Sequence, residues 1–293
     1  MRAAHVLAIC LAAVIGSPAL AQNIDWKKVD EAAGRSAAVS GDVHRYGFPR
    51  SDLQVTLDGV IIKPALALGG WAAFQPTHGG AMVMGDLVLL ESEITPVMTR
   101  LIQGGIEVTA VHNHLLRASP PTFYMHIGGH GDPVKMMTAL HAALEASKTP
   151  LTPPTPPASQ PAIELDTAQI DQIIGAKGQS NGGVYQVAVP RREAINENGT
   201  RLDPPGPLGA ATAINFQPTG AGKAAVTGDF VLLDKEVNPV MKALREHGIE
   251  VTALHSHMLT EQPRLFFMHF WANDDALKLA RGLRAALDKT AHG

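Results

Sequence analysis

Apolar and polar positions along the chain change period in an order that occurs twice. The stretches "IDWKKVDEAAG" (from Ile24) and "LDTAQIDQIIG" (from Leu165) are read as first helices, capped by Asp25 and Asp166 and ended by Gly34 and Gly175. Short β-prone runs, "WAAFQP" and "TAINFQP", then pass through glycine-containing turns into "AMVMGDLVLL" and "KAAVTGDFVLL". Gly85 and Gly228 interrupt these second strands, which predicts a bulge or a close backbone approach. Ile94, Val97, Met98 and Leu101 recur at helical spacing, as do Val237, Val240, Met241 and Leu244. Pro96 and Pro239 are assigned to the first turns of these helices, which puts the helix starts just before them.

Next come two β-prone runs joined across "RASPP", "IEVTAVHNHLL" and "TFYMHIGG", an antiparallel hairpin. A turn centred near Ser119 sets His112 opposite His126 and His114 opposite Tyr124. In the second copy a turn at Gln262 sets His255 opposite His269 and His257 opposite Phe267. Asp132, followed by Pro133, and Asp275 cap the last helices.

The recurrence is a true internal duplication. Gly85, Glu93, Pro96, His112, His114 and His126 each stand 143 positions before Gly228, Glu236, Pro239, His255, His257 and His269. The expected organisation is a leader at 1–21, a first α+β module at 22–147, a proline-rich linker at 148–162 and a second module at 163–293. The fold class is α+β: tandem modules, each an antiparallel sheet with a histidine-bearing hairpin and packed helices. Whether the modules share one cleft or stand apart is left open by the linker, as is the oligomeric state.

Composition narrows the chemistry. "MRAAHVLAICLAAVIGSPALAQ" has the basic start, apolar run and small-residue cleavage pattern of a secretory signal, so the protein is expected in the periplasm or outside the cell, without an integral membrane segment after cleavage. Cys10, the one cysteine, lies inside that leader, so the mature chain relies on histidine and carboxylate as its strong ligands. The net charge is −3 and the basic residues are scattered, which excludes a nucleic-acid footprint. No H-E-x-x-H or Walker phosphate loop occurs.

What remains is the repeated H-x-H followed by a third histidine. Period two puts His112 and His114 on one strand face, about 6.5 to 7 Å apart. Opposed side chains lie roughly 4.5 to 5.5 Å apart at Cβ, so His112, His114 and His126 can converge on one ion, as can His255, His257 and His269. Three neutral imidazoles suit zinc, copper, iron or nickel better than calcium or magnesium. Glu93 or Glu236, or Asp86 and Asp229, are candidates for a fourth ligand; their alternative role is in hydrogen bonding and at helix N-termini. His44, His78 and His130 have no histidine counterparts in the second copy, and His78 is assigned to an exposed loop. Trp26, Trp71 and Trp271 are read as packing anchors.

Across "GDFVLLDKEVNPVM" and "GIEVTALHSHMLTEQPRLFFMHFWA" the sequence resembles the LppY/LpqO family, exported bacterial proteins with a domain of unknown function. The resemblance covers both modules. It implies functional weight on Glu236, Pro239, His255, His257, Pro263, Arg264 and His269; the first copy departs from it at Pro121, which stands where Arg264 does. The leading expectation is an exported metal-binding protein acting as a metal-dependent hydrolase. There the histidines hold zinc, or alternatively copper or iron, Glu236 or Glu93 serves as base, and Arg264 pairs with an anionic small molecule or cell-envelope component. The competing expectations are metal storage or delivery, and a ligand- or partner-binding scaffold with structural histidines.

Overall fold

The computed structural model describes residues 24–153, 159 and 161–291; the expected leader and the middle of the proline-rich segment lie outside the described residues. In the first module the elements run α1 (Trp26–Ala33), β1 (Ala38–Ser40), β2 (Val43–Pro49), β3 (Val55–Leu57), β4 (Val60–Ile62), α2 (Pro64–Ala67), β5 (Gly69–Thr77), β6 (Gly80–Leu90), α3 (Glu91–Gln103), β7 (Glu107–His112), β8 (Thr122–Gly131) and α4 (Pro133–Leu144). The second runs α5 (Thr167–Ile174), β9 (Gln179–Asn181), β10 (Val184–Val189), β11 (Asn196–Glu197), β12 (Thr200–Arg201), a 3-10 turn at Gly206–Leu208, β13 (Thr212–Gly220), β14 (Lys223–Leu232), α6 (Asp234–Glu246), β15 (Glu250–His255), β16 (Phe266–Asp275) and α7 (Ala276–Leu287).

Each module is a six-stranded antiparallel sheet with helices on one face. The orders are β1-β2-β5-β6-β8-β7 and β15-β16-β14-β13-β10-β9. Period two decides what each face carries. In β6, Ala81, Val83, Leu87 and Leu89 pack under the helices. Met82 and Met84 face the other way, in a core they share with Val231, Met258 and Phe267 of the second module. A matching core joins Val88 and Tyr124 to Ala225 and Trp271. The sheets therefore pack face to face between outer helix layers. Burial on both faces explains why "AMVMGDLVLL" reads as a nearly continuous apolar run.

The modules also exchange arms. Gln75 accepts from the Asp203 backbone N–H and donates to the Arg201 carbonyl; Gln217 accepts from the Lys63 N–H and donates to the Ile61 carbonyl. Each glutamine, at the same place in its sheet, holds the hairpin arm of the other module. Exchange thus runs through the β3–β4 and β11–β12 arms, while α1 packs on α4 and α5 on α7 within their own modules.

Local chemistry explains the helix ends. Asp25 and Asp166 accept from the backbone of Lys28 and Gln169, and Gly34 and Gly175 close the helices in the left-handed conformation. Asp132 and Asp275 cap α4 and α7. The starts of α3 and α6 differ from the expectation set by Pro96 and Pro239. Both helices begin five residues earlier, and each proline sits in the second turn. The N-terminus is anchored by Glu93, which accepts from the Leu90 N–H at 2.8 Å, and likewise by Glu236 from Leu233.

Gly85 and Gly228 sit in an unbroken ladder, so close approach is the reason for glycine there. A Cβ on Gly85 would lie 2.7 Å from the Trp71 carbonyl oxygen, and one on Gly228 would collide with that of Ala213. Bulges fall instead at Thr109 and Thr252, and at Thr219 near the β13–β14 turn. The start of the proline-rich segment is bound to the first module: Lys148 N–H donates to Glu93, and Arg35 donates to the carbonyls of Pro150 and Leu151. Among the described residues no helix is long and apolar enough to cross a membrane.

Candidate metal centre

The hairpin register is shifted by two residues from the expected one. His112 pairs with Tyr124 and Ala110 with His126; His255 pairs with Phe267 and Ala253 with His269. His114 and His257 lie past the strand ends, at the start of the connecting loops. The shift follows from where β7 and β15 stop and their loops turn away: Ser119 pairs with Thr56 and Gln262 with Asn196, each on an arm of its own module. Because the shift is even, every histidine keeps its sheet face. That face is the one turned toward the other module.

The six histidines consequently form one cluster between the sheets rather than two separate sites. Ring centroids lie 3.5 Å apart for His112–His255, 3.6 Å for His114–His269 and 3.7 Å for His126–His257. Each contact crosses from one module to the other. The last two exchange roles under the duplication, while His112 meets its own counterpart, so the centre has pseudo-twofold symmetry. Asp86 and Asp229 border it, with Asp86 3.8 Å from His126 Nε2 and Asp229 3.7 Å from His257 Nε2 and 3.8 Å from His269 Nε2.

Ligand-capable atoms within 4.8 Å of one another form four overlapping groups: His112, His114, His255 and His269; His112, His126 and His257; Asp86, His114 and His126; Asp229, His257 and His269. The first two draw on both modules. All six Nε2 atoms are buried without a hydrogen-bond partner. A buried polar atom normally finds a partner, so six exceptions in one cluster are a signature of a ligand set. The other ring nitrogen of His269 is held 2.8 Å from the Gly228 carbonyl oxygen, and a backbone bond to Gly85 does the same for His126. Such outer contacts select the tautomer that leaves Nε2 free to bind.

Electrostatics point the same way. Burial lowers the His112 pKa to about 3, with the neighbouring His255 adding to the effect, and lowers that of His255 to about 4. His114, His126, His257 and His269 are also pushed well down, first by burial and then by the surrounding histidines. The imidazoles are neutral at pH 7, with lone pairs available. Burial raises Asp86 to about 8 against the pull of Arg45, and raises Asp229 well above the carboxylate range, with Asp86 adding to it. Clusters of buried histidine and aspartate that can coordinate a metal ion are thus present.

Other candidates lie elsewhere. Glu93 is clamped by Arg50 at 2.6 and 3.2 Å and by the Leu90 and Lys148 N–H groups. Burial pushes its carboxyl up, but these bonds and the Arg50 charge hold it below its ordinary value. Glu236 is held in the same way by Arg191, Leu233 and Ala291. Neither glutamate has a free oxygen lone pair directed at the histidines, so both are corrected from metal ligand or base to structural anchor. Arg264 donates to the carbonyls of Met258 and Leu259, to Glu261 and to Ser256, and so ties down the β15–β16 loop. His44 stacks on Trp26 and His78 is exposed, both away from the centre. Arg50 and Arg191 were missed, although "PRSD" at Pro49–Asp52 recurs as "PRRE" at Pro190–Glu193.

Fold and site together define a duplicated α+β protein with a histidine-rich centre shared by its halves. The chain belongs to the family described as Domain of Unknown Function (DUF1259), which matches it over residues 27–146 and 168–289. No curated protein matches the chain. Among solved structures, the trimeric bacterial microcompartment shell protein PduB aligns at 14% identity over 87% of this chain and 90% of its own, with a TM-score of 0.21. EtuB from Clostridium kluyveri aligns at 8% identity over 87% and 89%, with a TM-score of 0.19. Similarity at this level carries no argument about fold or function.

Proposed function

We propose that this protein is an exported transition-metal-binding protein whose centre belongs to both modules at once. The observation that carries the reading is the clustering of six buried, partnerless Nε2 atoms in overlapping groups beside two aspartates. A nitrogen-rich donor set flanked by carboxylate suits zinc, copper or iron over calcium or magnesium. Export is supported by the N-terminal leader pattern and by the resemblance to the LppY/LpqO family.

Metal-dependent hydrolysis is the reaction class we infer, favoured by a cavity of about 270 Å³ that reaches His257. The clustered histidines would hold a divalent ion, which would supply Lewis acidity. With Glu93 and Glu236 committed to arginine, Asp86 and Asp229 are the carboxyl groups that stand beside the histidines and could move a proton.

The test is elemental analysis of protein purified without chelator or histidine tag. The wild type is expected to carry zinc, copper or iron, and the triple change His112, His114 and His126→Ala removes it as completely as His255, His257 and His269→Ala. Metal retained in full by either triple variant contradicts the shared centre. A wild type that takes up none of these metals on reconstitution refutes the metal reading itself.

A further inference from the structure

The pseudo-twofold axis predicts two equivalent clefts at the module interface, yet only one is filled by the protein's own side chains. On the filled side, Arg117 donates to Asp58 at 3.1 and 3.0 Å and to Glu250 at 3.1 and 2.7 Å. Trp271 closes the space behind them, its indole N–H donating to Asp58 at 3.1 Å. At the positions 143 residues away, Thr260 aligns with Arg117, Gly128 with Trp271 and Glu107 with Glu250. Asn198 occupies the hairpin-turn place of Asp58; both have positive φ and precede a glycine.

The guanidinium and the indole are thus missing on the second side, and the cavity of about 270 Å³ lies there, lined by Glu107, Thr109, Gly128, Glu197, Asn198, His257 and Thr260 among others. Its size is near the lower end of small-ligand pockets, about 300 Å³. Glu107 is exposed, and the cavity is lined by His130 and His257 but by no lysine or arginine. Glu197 takes the arm position that Leu57 has on the filled side, and is only 8% exposed. One of its carboxylate oxygens accepts from Thr260 at 2.9 Å; the other, Oε2, is buried with no partner. A buried carboxylate oxygen in that state costs free energy unless a donor reaches it.

We propose that this cavity binds a small organic cation bearing a guanidinium or primary amine, held between Glu107 and Glu197 with its inner end toward His257. The filled side displays the recognition chemistry: there the protein supplies its own guanidinium to the equivalent carboxylate. Charge-assisted hydrogen bonds to two carboxylates discriminate such a cation from a neutral isostere. Gly128 permits the opening, since a Cβ there would meet Thr109 only at 3.5 Å. Glu107 and Glu197, which hold the cation, belong to none of the candidate metal groups, so binding and metal content are read separately.

Isothermal titration of the full chain with butylguanidinium, against the neutral butylurea, tests the proposal. Butylguanidinium is expected to bind with one site per chain, and butylurea at least about tenfold more weakly. Glu197→Gln weakens butylguanidinium by about tenfold or more, and Thr260→Arg, which supplies the filled side's own cation, abolishes binding while leaving metal content unchanged. Equal affinity for the two probes, no binding of butylguanidinium, or wild-type affinity in Glu197→Gln overturns it. The last comparison stands even if the larger Thr260→Arg change prevents folding.

Discussion

The Arg50–Glu93 clamp, with its twin Arg191–Glu236, and the histidine cluster both bury ionisable groups, and they differ in how those groups are satisfied. Arg50, fully buried, donates to Asp52, to Glu93 and to the Val88 carbonyl, and Glu93 receives two further backbone N–H groups. In the cluster, every histidine keeps a buried Nε2 with no partner, and so do Asp86 Oδ1 and Asp229 Oδ1. Burial and charge therefore do not by themselves identify a functional group. A complete set of hydrogen bonds marks an anchor, while buried ring nitrogens without partners, gathered in overlapping groups, mark a ligand site.

The largest effect is expected from breaking the clamp. Arg50→Ala or Arg191→Ala leaves a buried carboxylate unpaired and lowers stability by about 3–5 kcal/mol. Urea denaturation of metal-free protein measures this, and a loss below about 1 kcal/mol removes the structural assignment. Histidine variants sharpen the contrast from the other side. Zinc at about 100 times its Kd stabilises the wild type by about 2.7 kcal/mol, and His114→Ala or His269→Ala is expected to lose most of that gain. Thermal unfolding with and without zinc reads the difference; an undiminished zinc shift in both variants assigns these histidines to structure.

The pH dependence of the metal-free protein carries a definite sign. The histidine pKa values are depressed in the fold, to about 3 and about 4 at His112 and His255, so the unfolded chain binds more protons below pH 6.5. Their contribution is present above pH 6.5 and is lost as pH falls toward those values. Asp86, raised to about 8, acts in the opposite sense: its contribution is present below the ordinary carboxylate pKa and is lost as pH rises through 8. Asp229 has the same sign. Six histidines outweigh two aspartates below pH 6.5, and only the aspartates act above it, so stability at the centre peaks near pH 6.5 to 7. Denaturation midpoints that fall steadily from pH 5 to pH 7 contradict that balance. The smallest effect belongs to Arg264, which is half exposed and bonded mainly to its own loop. Arg264→Ala is expected to cost less than about 1 kcal/mol and to leave metal content unchanged; metal loss in this variant would tie the loop to the centre.

Much of this was legible in the residues. The duplication, the order of helices and strands, the caps at Asp25, Asp132, Asp166 and Asp275, and the identity of the six histidines all rest on local pattern. Glu93 and Glu236 were drawn to the metal site because they stand near the histidines in chain order. Their actual partners, Arg50 and Arg191, lie 43 and 45 residues earlier, a separation at which no periodicity operates. The observed hairpin register differs by two residues from the one a turn at Ser119 or Gln262 predicts, because strand pairing depends on where the loop leaves the sheet. The difference leaves the faces intact, since side-chain direction repeats every two residues.

Local residue pattern settles which face of each hairpin carries histidine, because a period of two is a property of the strand alone. It also settles that whatever one module presents, the other presents nearly the same. That the two histidine faces meet follows instead from the packing of Met82 and Met84 against Val231 and Phe267 and from the crossing of two arms. Contacts between distant segments depend on the complementarity of whole surfaces, and so two apparent three-histidine sites became one of six.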